Sequence, residues 1–214
     1  MTLRLFDYWR SSASYRVRIA LALKGVAYER VAVNLIAAEQ HDPANRARNP
    51  QGQVPTLEVD GRPIIQSLAI IDWLDSVYPD PPLLPIDSFD RAEVRARALV
   101  IVADTHPIDN MRVLRRLESQ FGADQAARDD WYRHWVRTGL DALEAMVAGG
   151  GGAGPFLGGA APDLADVVLV PQLYNARRFA MSLEPWPHLI RADAAACALP
   201  AFAAAHPDRV RPGD

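Results

Sequence analysis

The chain has 214 residues and a single cysteine, Cys197. An internal disulfide is therefore excluded, and no grouping of cysteine and histidine has the spacing of a zinc site. With no Cys-x-x-Cys, and no cysteine in the first half, dithiol redox chemistry is disfavoured. Cys197 lies in an alanine-rich helical pattern and reads as a small buried apolar residue rather than a nucleophile. No apolar run reaches the ~18–20 residues needed to span a bilayer, and Met1–Asp7 has no signal-peptide core. Positive charge is not in excess: a formal net charge of −3 argues against a general nucleic-acid binder. The expectation is a cytoplasmic protein with no structural metal, no nucleic-acid partner and no membrane partner.

What is present divides into two halves. Residues 3–7 read as a strand, and Ala13–Lys24 repeats apolar residues at helical spacing (Val17, Ala20, Leu21) before stopping at Gly25. Tyr28–Asn34 reads as a second strand. Thr56–Val59, Asp60-Gly61 and Pro63–Gln66 read as a hairpin, because Asp-Gly suits the positive φ angles of a tight turn. Ser67 is placed to cap a helix carrying Leu68, Ile71, Trp73, Leu74 and Val77. The order β-α-β, connector, β-β-α predicts an α/β thioredoxin-like domain over residues 1–80. A proline-rich linker, 81–87, leads to an all-α domain over 88–214. In that part Asp90–Ala103 is periodic, Pro107 interrupts the pattern, and Asn110–Phe121 resumes it. Ala123–Ala148 places Trp131, Trp135, Leu143 and Val147 on one side. Gly149–Gly154 reads as a flexible connection rather than a phosphate loop, since it follows a helix and lacks a Gly-Lys-Ser/Thr ending. Asp163 and Asp166 open another helix as N-cap and N3 residues.

Three small elements of the first half could carry chemistry. Ser11 and Ser12 stand at a helix N-terminus, where unpartnered N–H groups and the helix dipole favour an anion. An isolated Ser-Ser pair there is most often a cap. Val54-Pro55 precedes a strand; a cis bond there turns the Val54 N–H and C=O outward as an edge for a peptide, whereas an isolated Val-Pro is ordinarily a trans loop. Gln66-Ser67 begins another helix, a natural seat for a carboxylate. Taken together they describe a small anionic peptide with a thiol at one end.

The combination Ser11-Ser12-x-Ser14-x-Arg16-Val17-Arg18-Ile19-Ala20-Leu21, Asn49-Pro50…Gln53-Val54-Pro55-Thr56-Leu57 and Gln66-Ser67-Leu68-Ala69-Ile70-Ile71 resembles the zeta-class glutathione transferases. That class includes maleylacetoacetate and maleylpyruvate isomerases. The likeness continues through His106-Pro107-Ile108-Asp109-Asn110 and Leu164-Ala165-Asp166…Val170-Pro171-Gln172…Ala176-Arg177-Arg178-Phe179, so it spans nearly the whole chain. One departure is Ala13, where the family usually has cysteine. The resemblance implies the glutathione transferase fold, glutathione as cofactor and a homodimer.

It also implies residue roles. Ser11 hydrogen-bonds the glutathione sulfur and favours the thiolate, the reactive form, with Ser12 beside it. Val54, before Pro55, pairs with the cysteinyl backbone, and Gln66 and Ser67 hold the γ-glutamyl end. His41, His106 and the segment Asn110-Met111-Arg112, which the partner subunit could supply, match glutathione contacts in relatives. A loop histidine such as His41 is equally consistent with a solvated side chain. Planar guanidinium groups suit carboxylates, and the likeness points to Arg10, Arg112 and Arg178 as a positive cleft for a small dicarboxylate. Arg115, Arg116 and Arg177 read as solvated charges. The implied reaction is glutathione-dependent cis–trans isomerisation of a maleyl diketo acid, with Arg10, Ser11 and Ser12 at the reacting centre. The thiolate adds to the double bond, rotation follows and the thiolate leaves, while the arginines stabilise the negative charge that develops. Two alternatives stand beside it: a transferase that conjugates or dehalogenates small electrophiles such as α-haloacids, and a non-catalytic binding protein of the same fold.

Overall fold

The computed structural model describes residues 1–150 and 154–212. Of the glycine-rich connection expected at Gly149–Gly154, residues 151–153 lie outside the described residues. The chain divides into two compact units, Met1–Pro82 with Ala198–Asp214, and Leu83–Cys197.

In the first unit, β1 (Leu3–Asp7), α1 (Ser12–Leu23), β2 (Glu29–Ala32), α2 (Pro43–Arg48), β3 (Thr56–Val59), β4 (Arg62–Ile65) and α3 (Ser67–Val77) follow one another. The sheet order is β2-β1-β3-β4; β1 and β2 are parallel, and the other two pairs are antiparallel. This is the thioredoxin-like arrangement expected. The hairpin turns on Asp60 (φ 46) and Gly61 (φ 82), the two positive φ angles of a tight turn. Leu5 and Leu57 meet across the β1–β3 ladder and are fully buried, as are Val17, Ile19 and Leu21 of α1 and Ile70 and Leu74 of α3. Burying such aliphatic side chains contributes roughly 1.5–3 kcal/mol each, before chain entropy is counted.

The second unit is helical: α4 (Ser88–Leu99), α5 (His106–Asp109), α6 (Met111–Phe121), α7 (Gln125–Gly149), α8 (Leu164–Arg178) and α9 (Pro187–Cys197). Between α4 and α5 the backbone widens over Val100–Thr105 into a turn of i→i+5 bonds, His106 N–H reaching Ile101 O. Pro107 has no N–H to give, and the Thr105 hydroxyl donates to Val100 O at 2.8 Å, inside the widened turn. Gly139 of α7 lies against that hydroxyl: a Cβ there would stand 2.1 Å from Thr105 Oγ1. On α7 the deep positions are Tyr132, Val136, Leu140, Leu143 and Val147. Trp131 and Trp135 are only half-buried and meet edge to face, 5.7 Å between ring centres.

Three expectations differ from what is seen. The sequence reading ends the first domain at residue 80 and assigns 88–214 to the helical part, but α10 (Pro200–Ala205) and α11 (Pro207–Val210) belong to the first unit. Phe202 is fully buried there, and the buried Arg18 and half-buried Arg30 of that unit bond the carbonyls of Ala205 and Val210. Ser67 does not cap α3: it is the first helical residue, and the cap position is Gln66, whose side chain makes no capping bond. Cys197 is exposed rather than buried, because it closes α9 with its thiol against Asp193 (3.7 Å). Partial desolvation of the sulfur, and then the Asp193 carboxylate, push its pKa up to about 11, so little of it is thiolate at neutral pH.

Candidate functional site

The turn from β1 into α1 brings Ser11 to the cap position. Its N–H closes on Tyr8 O at 2.9 Å, and its Oγ accepts from Ser14 N–H at 3.2 Å. An N-cap serine uses a lone pair in this way, which leaves the O–H directed elsewhere. Among the described residues that proton has no acceptor. The group is thus a cap and a spare donor at the positive end of a helix. Ser12 is buried behind it, Ala13 is half-buried in the first turn, and Arg10 is half-buried with its guanidinium 5.7 Å from the Trp9 ring centre.

The Val54–Pro55 bond is cis. Val54 lies just before β3 and is half-buried, and among the described residues neither its N–H nor its C=O makes a hydrogen bond. Backbone groups left unmade in a partly buried place call for an outside partner, and an extended peptide supplies a donor and an acceptor at the right spacing. The loop before it is fixed by Asn49, which donates to Gln53 O (3.0 Å) and accepts from Gln51 N–H (3.0 Å). His41, exposed at the end of a short 3-10 turn, backs onto Gly52 (φ 60); a Cβ on Gly52 would stand 2.9 Å from His41 Nδ1.

Gln66 adopts φ 71 and ψ 120, a strained conformation for a residue with a Cβ. Its Nε2 donates to Gln51 Oε1 at 2.7 Å, tying the α3 N-terminus to the Asn49–Pro55 loop. Ser67 is buried, and Arg16 Nη1 approaches its Oγ at 3.5 Å. Arg16 itself is buried at 1% exposure. A guanidinium donates only, so it takes up a Ser67 lone pair and adds positive potential under the helix end.

In the second unit His106 opens α5 and lies 3.8 Å from Asp109 Oδ1. Asn110 caps α6, accepting from Arg112 N–H (3.2 Å) and Val113 N–H (3.4 Å). Met111 and Arg112 are exposed. Arg178 is the last residue of α8 and is held by Asn175 Oδ1 at 3.2 Å. Arg115 and Arg116 are exposed, whereas Arg177, expected to be a solvated charge, is an ion-pair partner of the buried Asp193. The structure thus joins Arg10, Ser11, Ser12, His41, Val54, Pro55, Gln66 and Ser67 in one unit, and His106, Asn110, Met111, Arg112 and Arg178 in the other. Among the described residues there is no cluster of His, Cys, Asp or Glu fit for a metal ion, and no helix is long and apolar enough to cross a membrane.

Sequence reasoning missed the two buried arginines of α1. The signal was available: positions 16 and 18 lie about 200° apart around a helix, so both cannot face solvent in an otherwise apolar run. Both are 1% exposed.

The site suits glutathione on three separate counts: a spare hydroxyl donor for sulfur, an unpaired backbone edge for the cysteinyl unit and a helix N-terminus over a buried cation for a carboxylate. Family models described as the glutathione S-transferase N-terminal and C-terminal domains match residues 1–76 and 125–212. A maleylpyruvate isomerase of Ralstonia is 48% identical over 206 residues, covering 96% of this chain and 97% of its own length. A holo structure of a zeta-class maleylpyruvate isomerase superposes with a TM-score of 0.96 at 45% identity, covering 99% of this chain and 100% of that one. A maleylacetoacetate isomerase of Anaeromyxobacter dehalogenans, solved with glutathione in its active site, is 51% identical with a TM-score of 0.88, covering 100% and 98% of the two chains. Matched along both its halves by these relatives and by the two domain models, the chain belongs to the zeta class of the glutathione S-transferases, the maleylacetoacetate and maleylpyruvate isomerase family.

Proposed function

We propose that the chain is a glutathione-dependent isomerase that converts a maleyl diketo acid, maleylpyruvate or maleylacetoacetate, into its fumaryl isomer. The observation that carries this reading is the Ser11 hydroxyl: it caps α1 through its oxygen and keeps its proton for a sulfur at the same helix end. Relatives at 45–51% identity that bear these activities support the choice of substrate.

Bound glutathione supplies the thiol whose anion adds to the substrate's double bond and leaves again, so that it is regenerated. The chain's own residues do the rest. Ser11 donates to the sulfur and, with the N-terminal dipole of α1, favours its anionic form at neutral pH. Val54 pairs through N–H and C=O with the cysteinyl backbone and sets the depth of the sulfur. Gln66 and Ser67 hold the γ-glutamyl carboxylate, with His41 flanking the loop that carries Val54. His106 and Asn110-Met111-Arg112 complete the cofactor contacts by likeness to relatives. Arg10, Arg112 and Arg178 offer guanidinium groups to the carboxylates and keto oxygen of a small dicarboxylate and stabilise the charge that builds there during rotation. No group has to remove a proton from carbon. In this reading the functional form is a homodimer, supported by the apolar side chains of Ile86 and Phe89 left in solvent, and sedimentation at twice the chain mass tests it.

The decisive assay follows the spectra of maleylpyruvate and maleylacetoacetate with and without glutathione. Turnover of either acid that depends on glutathione is the expected result. Failure on both, with turnover of α-haloacids or aromatic electrophiles, would replace isomerisation by conjugation or dehalogenation. Failure to bind glutathione at millimolar concentration in calorimetry would leave only a binding scaffold.

A further inference from the structure

Asp7, the last residue of β1, is fully buried and receives two guanidinium groups. Arg18 Nη1 of α1 lies 2.6 Å from Oδ2, and Arg30 Nε of β2 lies 2.7 Å from Oδ1. Asp7 and Arg18 are fully buried and Arg30 is partly exposed, so one carboxylate faces two guanidinium groups, which is costly unless the remaining N–H groups find acceptors. Burial accordingly pulls the Arg18 pKa down, against the pull of Asp7 in the other direction. Three of these nitrogens meet backbone carbonyls, while Arg30 Nη2 meets no acceptor among the described residues. Arg18 Nε donates to Ala205 O at 3.1 Å, Arg30 Nη1 donates to Val210 O, and Arg18 Nη2 donates to Trp9 O at 2.9 Å.

Two of these carbonyls come from the C-terminal segment and the third from the turn that carries Arg10 and Ser11. Arg211 of the same segment lies 5.3 Å from the Trp9 ring centre, on which Arg10 also rests. His206 meets Tyr15 edge to face, 6.0 Å between ring centres. The C-terminal segment therefore supplies two acceptors to a cluster whose remaining arm holds the β1–α1 turn two residues before Ser11.

We propose that Arg18 is a positioning residue for Ser11: braced on Asp7 and on the carbonyl of Ala205, it fixes the Trp9 carbonyl and so aims the Ser11 hydroxyl. The residues after Ala198 thereby belong to the thiol-activating apparatus without touching sulfur. The inference rests on the role given to Ser11 above. Lysine at position 18 keeps the charge, but its donors radiate from one nitrogen and do not span the three partners that Arg18 meets with Nε, Nη1 and Nη2.

The test compares R18K with K24Q, which removes a buried cation from the other end of α1, where Lys24 bonds Asp75 at 2.6 Å and no part of the β1–α1 turn. In glutathione-free R18K, amide exchange at Ser11–Ser14 is expected to be about tenfold faster, the mark of a local opening. With glutathione bound, the ultraviolet thiolate signal should titrate at higher pH, and kcat at saturating cofactor should fall about tenfold while substrate KM moves little. K24Q should lower thermal stability without either change. Equal exchange and an equal thiolate titration in the two variants would overturn the proposal. Should R18K not fold, a chain ending at Ala204 tests the same brace, since it removes the Ala205 acceptor from Arg18 and the Val210 acceptor from Arg30. Faster exchange at Ser11–Ser14 supports the proposal, and unchanged exchange overturns it. A wild-type protein that binds glutathione without any thiolate signal defeats the role of Ser11 itself, and the exchange data still decide whether Arg18 braces the turn.

Discussion

The N-termini of α1 and α3 contrast with that of α8. At α8 the chain satisfies its own helix end completely: Asp163 Oδ1 accepts from Ala165 and Asp166 N–H, and Asp166 returns a bond to Asp163 N–H at 3.0 Å while also holding Leu157 N–H at 3.0 Å. Both carboxylates are buried, and the N–H groups of Leu164, Ala165, Asp166 and Val167 are all bonded, so no donor is left for an anion. At α1 a single serine oxygen serves one N–H and its proton is left over; at α3 the cap residue Gln66 makes no capping bond and sits at positive φ. A helix end saturated by its own side chains secures the fold, whereas one left with donors to spare, beside an unpaired backbone edge, can receive an anion.

Substituting each end should separate these roles. S11A is the largest expected effect: turnover should fall about 100-fold or more, as for loss of one preorganised donor, while the fold loses only about 1 kcal/mol for the cap. Steady-state kinetics and thermal denaturation read the two separately, and equal activity would hand the sulfur to Ser12 or Ser14. D166A should do the reverse. It should cost about 2–3 kcal/mol of stability, for one cap and a stranded Leu157 N–H, with turnover per folded molecule unchanged in a urea-titrated assay.

The α8 end also sets a pH dependence. Burial, and then the neighbouring Asp163, raise the Asp166 pKa to about 7 in the folded chain, against about 3.9 when unfolded. Between those values the folded state keeps a proton that the unfolded state has lost, so this contribution is full at low pH and declines as pH rises to about 7. Urea midpoints should show the decline, and D166N should remove that part of the slope. The smallest expected effect is at Ala13: A13C should change kcat by less than about threefold, a difference under 1 kcal/mol, because the hydroxyl and helix end at Ser11 remain. A large gain would mean that the family's usual cysteine supplies something those groups do not.

Local signals made much of this legible. Asp60-Gly61 announced the hairpin, and Asp163 with Asp166 announced a capped helix, because short-range sterics and hydrogen bonds fix both. Ser11, Val54-Pro55 and Gln66-Ser67 each had a bland local meaning, and only their joint pattern pointed to one ligand. Arg16 and Arg18 went unread because a charged residue in a helix is ordinarily solvated. Cys197 was misplaced because an alanine-rich period does not show which face a neighbouring element covers. Residues 198–212 were assigned to the helical half because their helical pattern continues from it; what joins them to the first unit is the packing of Phe202 and the pair of arginines on the buried Asp7, spread over some 200 positions of sequence.

By itself the sequence determined the periods, turns and caps, and hence two kinds of domain, since these depend on each residue and its near neighbours. The fold decided which helix ends are closed and which stay open, that the Val54 backbone is left unpaired, and that the C-terminal segment braces the turn before Ser11. Those outcomes depend on desolvation and on acceptors brought from distant positions, which no local pattern encodes.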